Sequence, residues 1–267
     1  MNHIKTLGFV GFGNLAKAIW AGCEPFILEQ NISVLCYKPN PKNLPKNISS
    51  VSLEQLLNDS DIIILALKPQ QIELIINPLS KTDFTNKCLV SLLAGTPSAY
   101  FQERISSLTH FSRVMPNTCA SIGQSMTLIS PLTNTNPVYK TFITNLFNTS
   151  GKTLVIPESQ MNFCTALAGS GPAFLYELAH HLIQLAEFEG LTKKDAETIV
   201  FQLFKGSAAM MTTSPLPDLI QAISSPNGTT VAGLNTFRQL TIGSQFQEVI
   251  QTAKKRAEEL SKEKLKS

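Results

Sequence analysis

Three groups of residues in this 267-residue chain have the types and spacing that chemistry requires. The first is Leu7-Gly8-Phe9-Val10-Gly11-Phe12-Gly13-Asn14-Leu15-Ala16. Gly11 permits a tight turn, Gly13 lets the backbone approach a pyrophosphate, and Ala16 stands where a small residue lets helix and strand pack closely. The backbone N–H groups at the start of the helix then face the phosphates, so Gly11, Phe12, Gly13, Asn14, Leu15 and Ala16 form a cofactor-binding turn. The second group closes the next strand, Val34-Leu35-Cys36-Tyr37-Lys38-Pro39-Asn40. It has no acid to hold a ribose 2′-hydroxyl, and Lys38 offers a cation to a 2′-phosphate, which favours NADPH over NADH. The third is Ser224-Ser225-Pro226-Asn227-Gly228-Thr229-Thr230. There Asn227 and Gly228 make a turn and Thr229-Thr230 opens a helix, so that N–H groups and hydroxyls converge as a carboxylate site would need.

These groups must be positioned by regular elements, and the chain supplies two kinds. Up to about residue 157, short apolar runs alternate with amphipathic stretches. The expected strands are Thr6–Val10, Ser33–Cys36, Ile62–Leu67, Cys88–Leu93, Phe111–Val114, Met126–Ile129 and Thr153–Ile156. Between them the spacing predicts helices over Leu15–Glu29, Leu53–Asn58, Gln70–Asn77, Ser98–Ser107 and Val138–Asn148. Unalternating apolar runs imply strands buried on both faces, hence a parallel sheet between helical layers. Pro39–Ile48, with its three prolines, is too interrupted for a second nucleotide-domain helix and implies a loop. Beyond Pro157 only helical periodicity remains: Pro172–Glu189, Lys194–Met211, Pro217–Ile223, Thr229–Leu240 and Phe246–Lys264. The expected organisation is a Rossmann-type α/β domain over 1–157, followed by an all-α domain over 158–267.

Composition excludes several classes. The 22 basic and 19 acidic residues are dispersed, apart from a mixed-charge terminal helix, which argues against nucleic-acid binding. No apolar run reaches transmembrane length, and the N-terminus shows no signal-peptide core. Five widely spaced cysteines without a CxxC imply reduced thiols in a cytoplasmic protein. The four histidines lack ligand spacing, so no metal is expected. Only 15% of residues are charged, which raises the expectation that much surface is covered in a homo-oligomer.

Five linked segments resemble pyrroline-5-carboxylate reductases. They are the glycine turn, Leu65-Ala66-Leu67-Lys68-Pro69-Gln70, Arg113-Val114-Met115-Pro116-Asn117-Thr118, Ala168-Gly169-Ser170-Gly171-Pro172-Ala173 and Ser224–Leu234. They occur in the family's order, and Thr252–Leu260 resembles its last helix, so the resemblance spans nearly the whole chain. It implies a dimerisation role for the helical domain and a site completed where two chains interlock. It also implies hydride transfer from NADPH to the imine carbon of 1-pyrroline-5-carboxylate, giving L-proline. At the carboxyl ends of successive strands, Ala66, Leu67, Lys68 and Pro69 would lie near cofactor oxygens. Ala94 and Gly95 would offer minimal side chains to the nicotinamide, and Pro116 and Asn117 an amide beside it. Ser225, Asn227, Gly228, Thr229 and Thr230 would hold the substrate carboxylate, with Thr230 also orienting the ring nitrogen or relaying its proton.

The chain departs from the family pattern in a few places. Asn227 replaces a glycine, Cys119 a proline and Arg238 an acidic or amide residue. Two other classes compete. One is a related NADP-dependent imine or hydroxy-acid oxidoreductase; the hydroxy-acid enzymes use a lysine in the long interdomain helix, and none stands between Pro172 and Leu191. The other is a non-catalytic NADP-binding regulator, against which the intact Gly228-Thr229-Thr230 argues.

Overall fold

The computed structural model describes residues 4–38 and 44–266. Half of the expected loop Pro39–Ile48, residues 39–43, lies outside the described residues, and residues 44–48 form no helix or strand. The chain divides into two compact units, one running to Pro172 and resuming at Thr252, the other Ala173–Gln251.

Among the described residues the first unit contains an eight-stranded sheet. Its strands are β1 (Thr6–Val10), β2 (Ser33–Tyr37), β3 (Ser49–Ser50), β4 (Ile62–Leu65), β5 (Cys88–Ser91), β6 (His110–Met115), β7 (Ser125–Pro131) and β8 (Gly151–Val155), in the order β3-β2-β1-β4-β5-β6-β7-β8. All neighbours pair in parallel except β6 and β7. Every residue of β4 and β5 is buried, as the unalternating apolar runs require. The pleat sorts them between two layers. Ile62, Ile64 and Val90 pack with Trp20 and Phe147 under α1 (Asn14–Glu29) and α5 (Pro137–Asn148). Ile63, Leu65 and Leu89 pack with Leu56, Leu79 and Phe101 under α2 (Leu53–Asp59), α3 (Ile76–Lys81) and α4 (Ser98–Arg104). This is a doubly wound Rossmann-type sheet.

The structure corrects the sequence-based expectation at three places. The sheet is not wholly parallel, because the short 3₁₀ turn Thr118–Ile122 reverses the chain and cannot span a crossover. Strand β4 stops at Leu65, and the expected helix over Gln70–Asn77 is replaced by a 3₁₀ turn, Pro69–Leu74, followed by α3. The segment after Pro157 also holds an unforeseen helix, α6 (Glu158–Cys164), running into a π turn over Thr165–Gly169.

The second unit comprises α7 (Gly171–Phe188, from Ala173), α8 (Lys193–Met210), α9 (Leu216–Ala222), α10 (Thr229–Gln239) and the start of α11 (Ile242–Lys266). Helices α7, α9 and α10 bury no residue. Leu178, Leu185, Phe188, Phe201 and Met210 remain exposed, Phe188 by 85%. These helices make almost no core of their own. No helix among the described residues is long and apolar enough to cross a membrane.

Arg113, at the centre of β6, is only 1% exposed. Its Nη1 lies 3.2 Å from Glu158 Oε1, and its Nη2 donates to Asn162 Oδ1 at 3.0 Å. Glu158 also accepts from the backbone N of Ser98 at 2.9 Å, and Asn162 Nδ2 donates to Ser261 Oγ on α11 at 3.3 Å. One buried guanidinium therefore ties β6, α4, α6 and α11 together. Burial pulls it below its ordinary pKa and Glu158 opposes that shift. Arg113→Ala would leave Glu158 and Asn162 without their partner, so a loss of about 3 kcal/mol or more is expected in urea unfolding. A loss under about 1 kcal/mol would show that the network contributes little.

Candidate active site

The turn after β1 begins with a left-handed residue, Gly11, at φ +89°. Its N–H donates to the carbonyl of Tyr37 at 2.8 Å, and a Cβ there would lie 2.7 Å from the carbonyl oxygen of Ala66. Only glycine satisfies both the dihedral and the contact. Gly13 differs: its backbone is extended and a Cβ would meet nothing within 4 Å. It is the N-cap of α1, which has no side-chain cap and no acid in its first turn. The helix N-terminus therefore keeps unsatisfied N–H groups and a partial positive charge.

A cleft of about 350 Å³ lies against this turn. Gly11, Phe12 and Gly13 form one wall, Tyr37 and Lys38 another, and Ala66, Leu67, Lys68 and Gln71 a third. Leu53, Leu74 and Ile75 add apolar surface, and among the described residues no acid lines the cleft. Two lysines and a helix N-terminus without a facing carboxylate suit a ligand with several phosphates. The open side of Gly13 leaves the space that a pyrophosphate needs.

The other expected nucleotide residues occupy different places. Ala16 is fully buried in the core, Leu15 packs against it, and Asn14 is exposed on the first turn. Pro69, Ala94 and Gly95 line a second cavity, of about 470 Å³, shared with the end of α11. Gly95 has φ +66°, and a Cβ there would lie 2.5 Å from the Cβ of Leu260. Its lack of a side chain is thus accounted for by the approach of α11. Pro116 and Asn117 are buried. The Asn117 amide donates to the Ala168 carbonyl at 2.9 Å and accepts from the Cys119 N–H at 3.0 Å, which clips the β6 exit to the π turn.

Ser225–Thr230 belong to the second unit. Asn227 is left-handed at φ 59°, the conformation asparagine tolerates when it replaces glycine. Gly228 N donates to Ser225 O at 3.0 Å, and a Cβ on Gly228 would collide with Ser225 Oγ. Gly228 is the N-cap of α10, again without a side-chain cap or an acid in the first turn. Ser225, Asn227 and Thr229 are exposed, and Thr230 is half-buried in that turn.

Comparison with known proteins agrees with both halves. Residues 158–260 match the model for pyrroline-5-carboxylate reductase dimerisation, and residues 6–95 that for coenzyme F420-dependent NADP oxidoreductases. A pyrroline-5-carboxylate reductase of Staphylococcus haemolyticus is 34% identical over 265 residues, 96% of this chain and 98% of the relative. The chain belongs to the pyrroline-5-carboxylate reductase family. The Methanosarcina acetivorans reductase is 30% identical over 97% of this chain and 98% of its own. Among solved structures, the Plasmodium falciparum pyrroline carboxylate reductase with NADP bound has a TM-score of 0.88. It is 28% identical, covering 98% of this chain and 99% of that one. The Streptococcus pyogenes reductase has a TM-score of 0.83 and 28% identity, over 95% and 98%.

Sequence reasoning missed three parts of the cleft and its scaffold: the Gln71 wall, the Tyr37 wall and the Arg113 network. Gln71 carried a signal in its spacing, because its side chain accepts from the Lys68 N–H at 3.1 Å and so caps the turn behind Pro69. Burial pushes the thiols of Cys23 to about 12 and Cys36 to about 11, so neither is a nucleophile at neutral pH.

The two turn glycines have separable duties. Gly11→Ala is expected to cost about 2 kcal/mol or more in chemical unfolding, from its dihedral and the Ala66 carbonyl. Gly13→Ala should change stability by less than about 1 kcal/mol, yet weaken pyridine-dinucleotide binding about tenfold. Equal effects of the two on stability would contradict this assignment.

Proposed function

We propose that this chain reduces 1-pyrroline-5-carboxylate to L-proline with NADPH. The observation that carries the reading is the cleft at Gly11–Gly13, where an uncapped helix N-terminus, Lys38 and Lys68 converge with no acid among the described residues. A diphosphate fits the N-terminus of α1, and a 2′-phosphate fits Lys38 better than a bare ribose would. The uncapped start of α10, with Ser225 and Thr229 beside it, fits a carboxylate of the small substrate.

When bound, the dinucleotide supplies the hydride from nicotinamide C4. The imine carbon accepts it once its nitrogen is protonated, and the C=N bond becomes C–N with the proton retained as N–H. The demands on the protein are therefore orientation and one proton. The α10 turn fixes the carboxylate, and the Thr230 hydroxyl orients the ring nitrogen or the water that protonates it. A threonine hydroxyl does not titrate near neutrality, so its part is positioning and relay. Most of the rate enhancement comes from holding donor and acceptor at near-attack distance.

The residues divide by task into an NADP-binding part over 1–157 and a substrate-binding, dimer-forming part over 158–267. The exposed apolar faces of α7 and α8 support a homodimer through the helical part. Buried free thiols at Cys23, Cys36 and Cys88 suit the reducing cytoplasm. Helix α7 contains no lysine, which disfavours the hydroxy-acid oxidoreductase reading.

Oxidation of NADPH, followed by loss of its 340 nm absorbance, should depend on added pyrroline-5-carboxylate and run more slowly with NADH. A folded, NADPH-binding sample without turnover would favour the regulator reading instead. Thr230→Ala should lower kcat about 100-fold while leaving NADPH affinity nearly intact; an unchanged kcat removes Thr230 from the mechanism. In sedimentation at micromolar concentration the chain should run as a dimer or larger, and a monomer alone would refute the interface.

A further inference from the structure

The 3₁₀ turn Pro69–Leu74 is a thin partition between two cavities. Lys68, Gln71 and Leu74 face the nucleotide cleft, whereas Pro69, Gln70 and Glu73 face the cavity bounded by α11. The turn has little support of its own. Its 3₁₀ geometry is weaker than an α-helix, and within it only Ile72 is buried. Glu73, however, is held from two sides. Lys264 Nζ, in the last turn of α11, donates to Glu73 Oε1 at 2.8 Å, and the hydroxyl of Tyr100 on α4 donates to the same oxygen at 3.1 Å.

We propose that Glu73 and Lys264 are positioning residues for NADPH, a latch through which the end of α11 holds the cleft wall carrying Lys68 and Gln71. This rests on the dinucleotide reading of the cleft. Three observations support it. Tyr100 is fully buried, so one arm of the latch is anchored in the core, and the Arg104 guanidinium lies 4.2 Å above its ring. Gly95, without a Cβ, lets Leu260 seat on the β5 exit, which fixes α11 one turn before Lys264. The hydrogen bond from Lys264 pulls the Glu73 carboxyl below its ordinary range, so the carboxylate is ionised at neutral pH. Pro69, Ala94 and Gly95, which line the cavity against α11, make the bed in which the latch closes.

A partly exposed ion pair adds little to global stability. Here Lys264 is 17% and Glu73 45% exposed in their side chains, so what breaking the pair changes is where a weakly supported turn sits. Lys264→Met and Glu73→Gln in the full chain should each raise the NADPH dissociation constant about three- to tenfold in fluorescence titration. The KM for NADPH should rise in parallel, with kcat within about twofold and the thermal midpoint within a few degrees of the parent. Lys264→Arg, which keeps the charge, should restore affinity. A general loss of folded protein would lower apparent kcat instead and leave the dissociation constant unmoved. Unchanged affinity in a folded Lys264→Met sample would overturn the latch while leaving the dinucleotide reading intact. If the unsubstituted chain fails to bind NADPH, the reading itself falls, and the latch with it.

Discussion

At Gly11 the chain leaves β1 with no room for a side chain and in a conformation that a side chain would resist. The N–H of this residue is fixed to the Tyr37 carbonyl, and the Ala66 carbonyl fills the place of a Cβ. The contact works because the exits of β1, β2 and β4 are level. In the register, Val10 stands opposite both Tyr37 and Leu65. Lys38 and Lys68, one and three residues past those partners, consequently reach the same cleft as the start of α1. A wider turn would swing α1 away and separate the helix dipole from the two cations. Backbone geometry at one residue thus decides whether three separate sources of positive charge act on one ligand.

The treatment of helix starts supports the same division of labour. Helices α2, α5 and α8 are capped by the side chains of Ser52, Asn136 and Thr192. The seven-residue helices α4, α6 and α9 begin after Pro97, Pro157 and Pro215. Helices α3, α4, α6 and α9 have no side-chain cap either, but α1 and α10 begin at glycines, Gly13 and Gly228, which place no side chain in front of their N–H groups. A Ser or Asp cap in place of either glycine would stabilise the helix by about a few tenths of a kcal/mol. It would also occupy the donors that an anion needs. Leaving both uncapped is a local cost consistent with a dinucleotide phosphate at one helix and a substrate carboxylate at the other.

Most of the sheet was legible because burial on both faces leaves a strong mark: Ile62–Leu65 and Cys88–Ser91 are apolar or small at nearly every position. Direction was not legible. The Ser125–Pro131 strand has the same composition whether it runs with β6 or against it, and only the shortness of Thr118–Ile122 decides. Helix α6 escaped because its single buried residue, Met161, gives no periodic signal. The cations at the cleft were legible from their place after strands. Gly95 carries a further reason to be small that local sequence does not reveal: its Cβ space is taken by Leu260. Gln71 and Glu73 were hidden for a related reason. The 3₁₀ turn sends Lys68, Gln71 and Leu74, at its three-residue period, to the cleft, and leaves Glu73 on the side of α11, whose approach local sequence does not reveal.

The scarcity of charge acquires a location. Helix α7 carries only Glu177 and Glu187 in its eighteen residues, and from Thr198 to Leu240 the charged residues are Lys205, Asp218 and Arg238. The end of α11, by contrast, holds Lys254, Lys255, Arg256, Glu258, Glu259, Lys262, Glu263 and Lys264. Both regions are helical, so helix formation does not explain the difference. Water contact does: the end of α11 pairs its outward charges with one another, Lys254 with Glu258 and Arg256 with Glu259 and Glu263. The charge-poor stretches of α7 and α8 expose Leu178, Leu185, Phe201 and Met210 between serines, threonines and glutamines. Such a surface can be desolvated against a second chain without stranding ions, since a hydroxyl or amide finds a hydrogen-bond partner more cheaply than a charge does. Apolar side chains left in water would forgo roughly 1.5–3 kcal/mol each. The helical unit therefore has the composition of half a core, and its missing half is best supplied by the same helices of another copy.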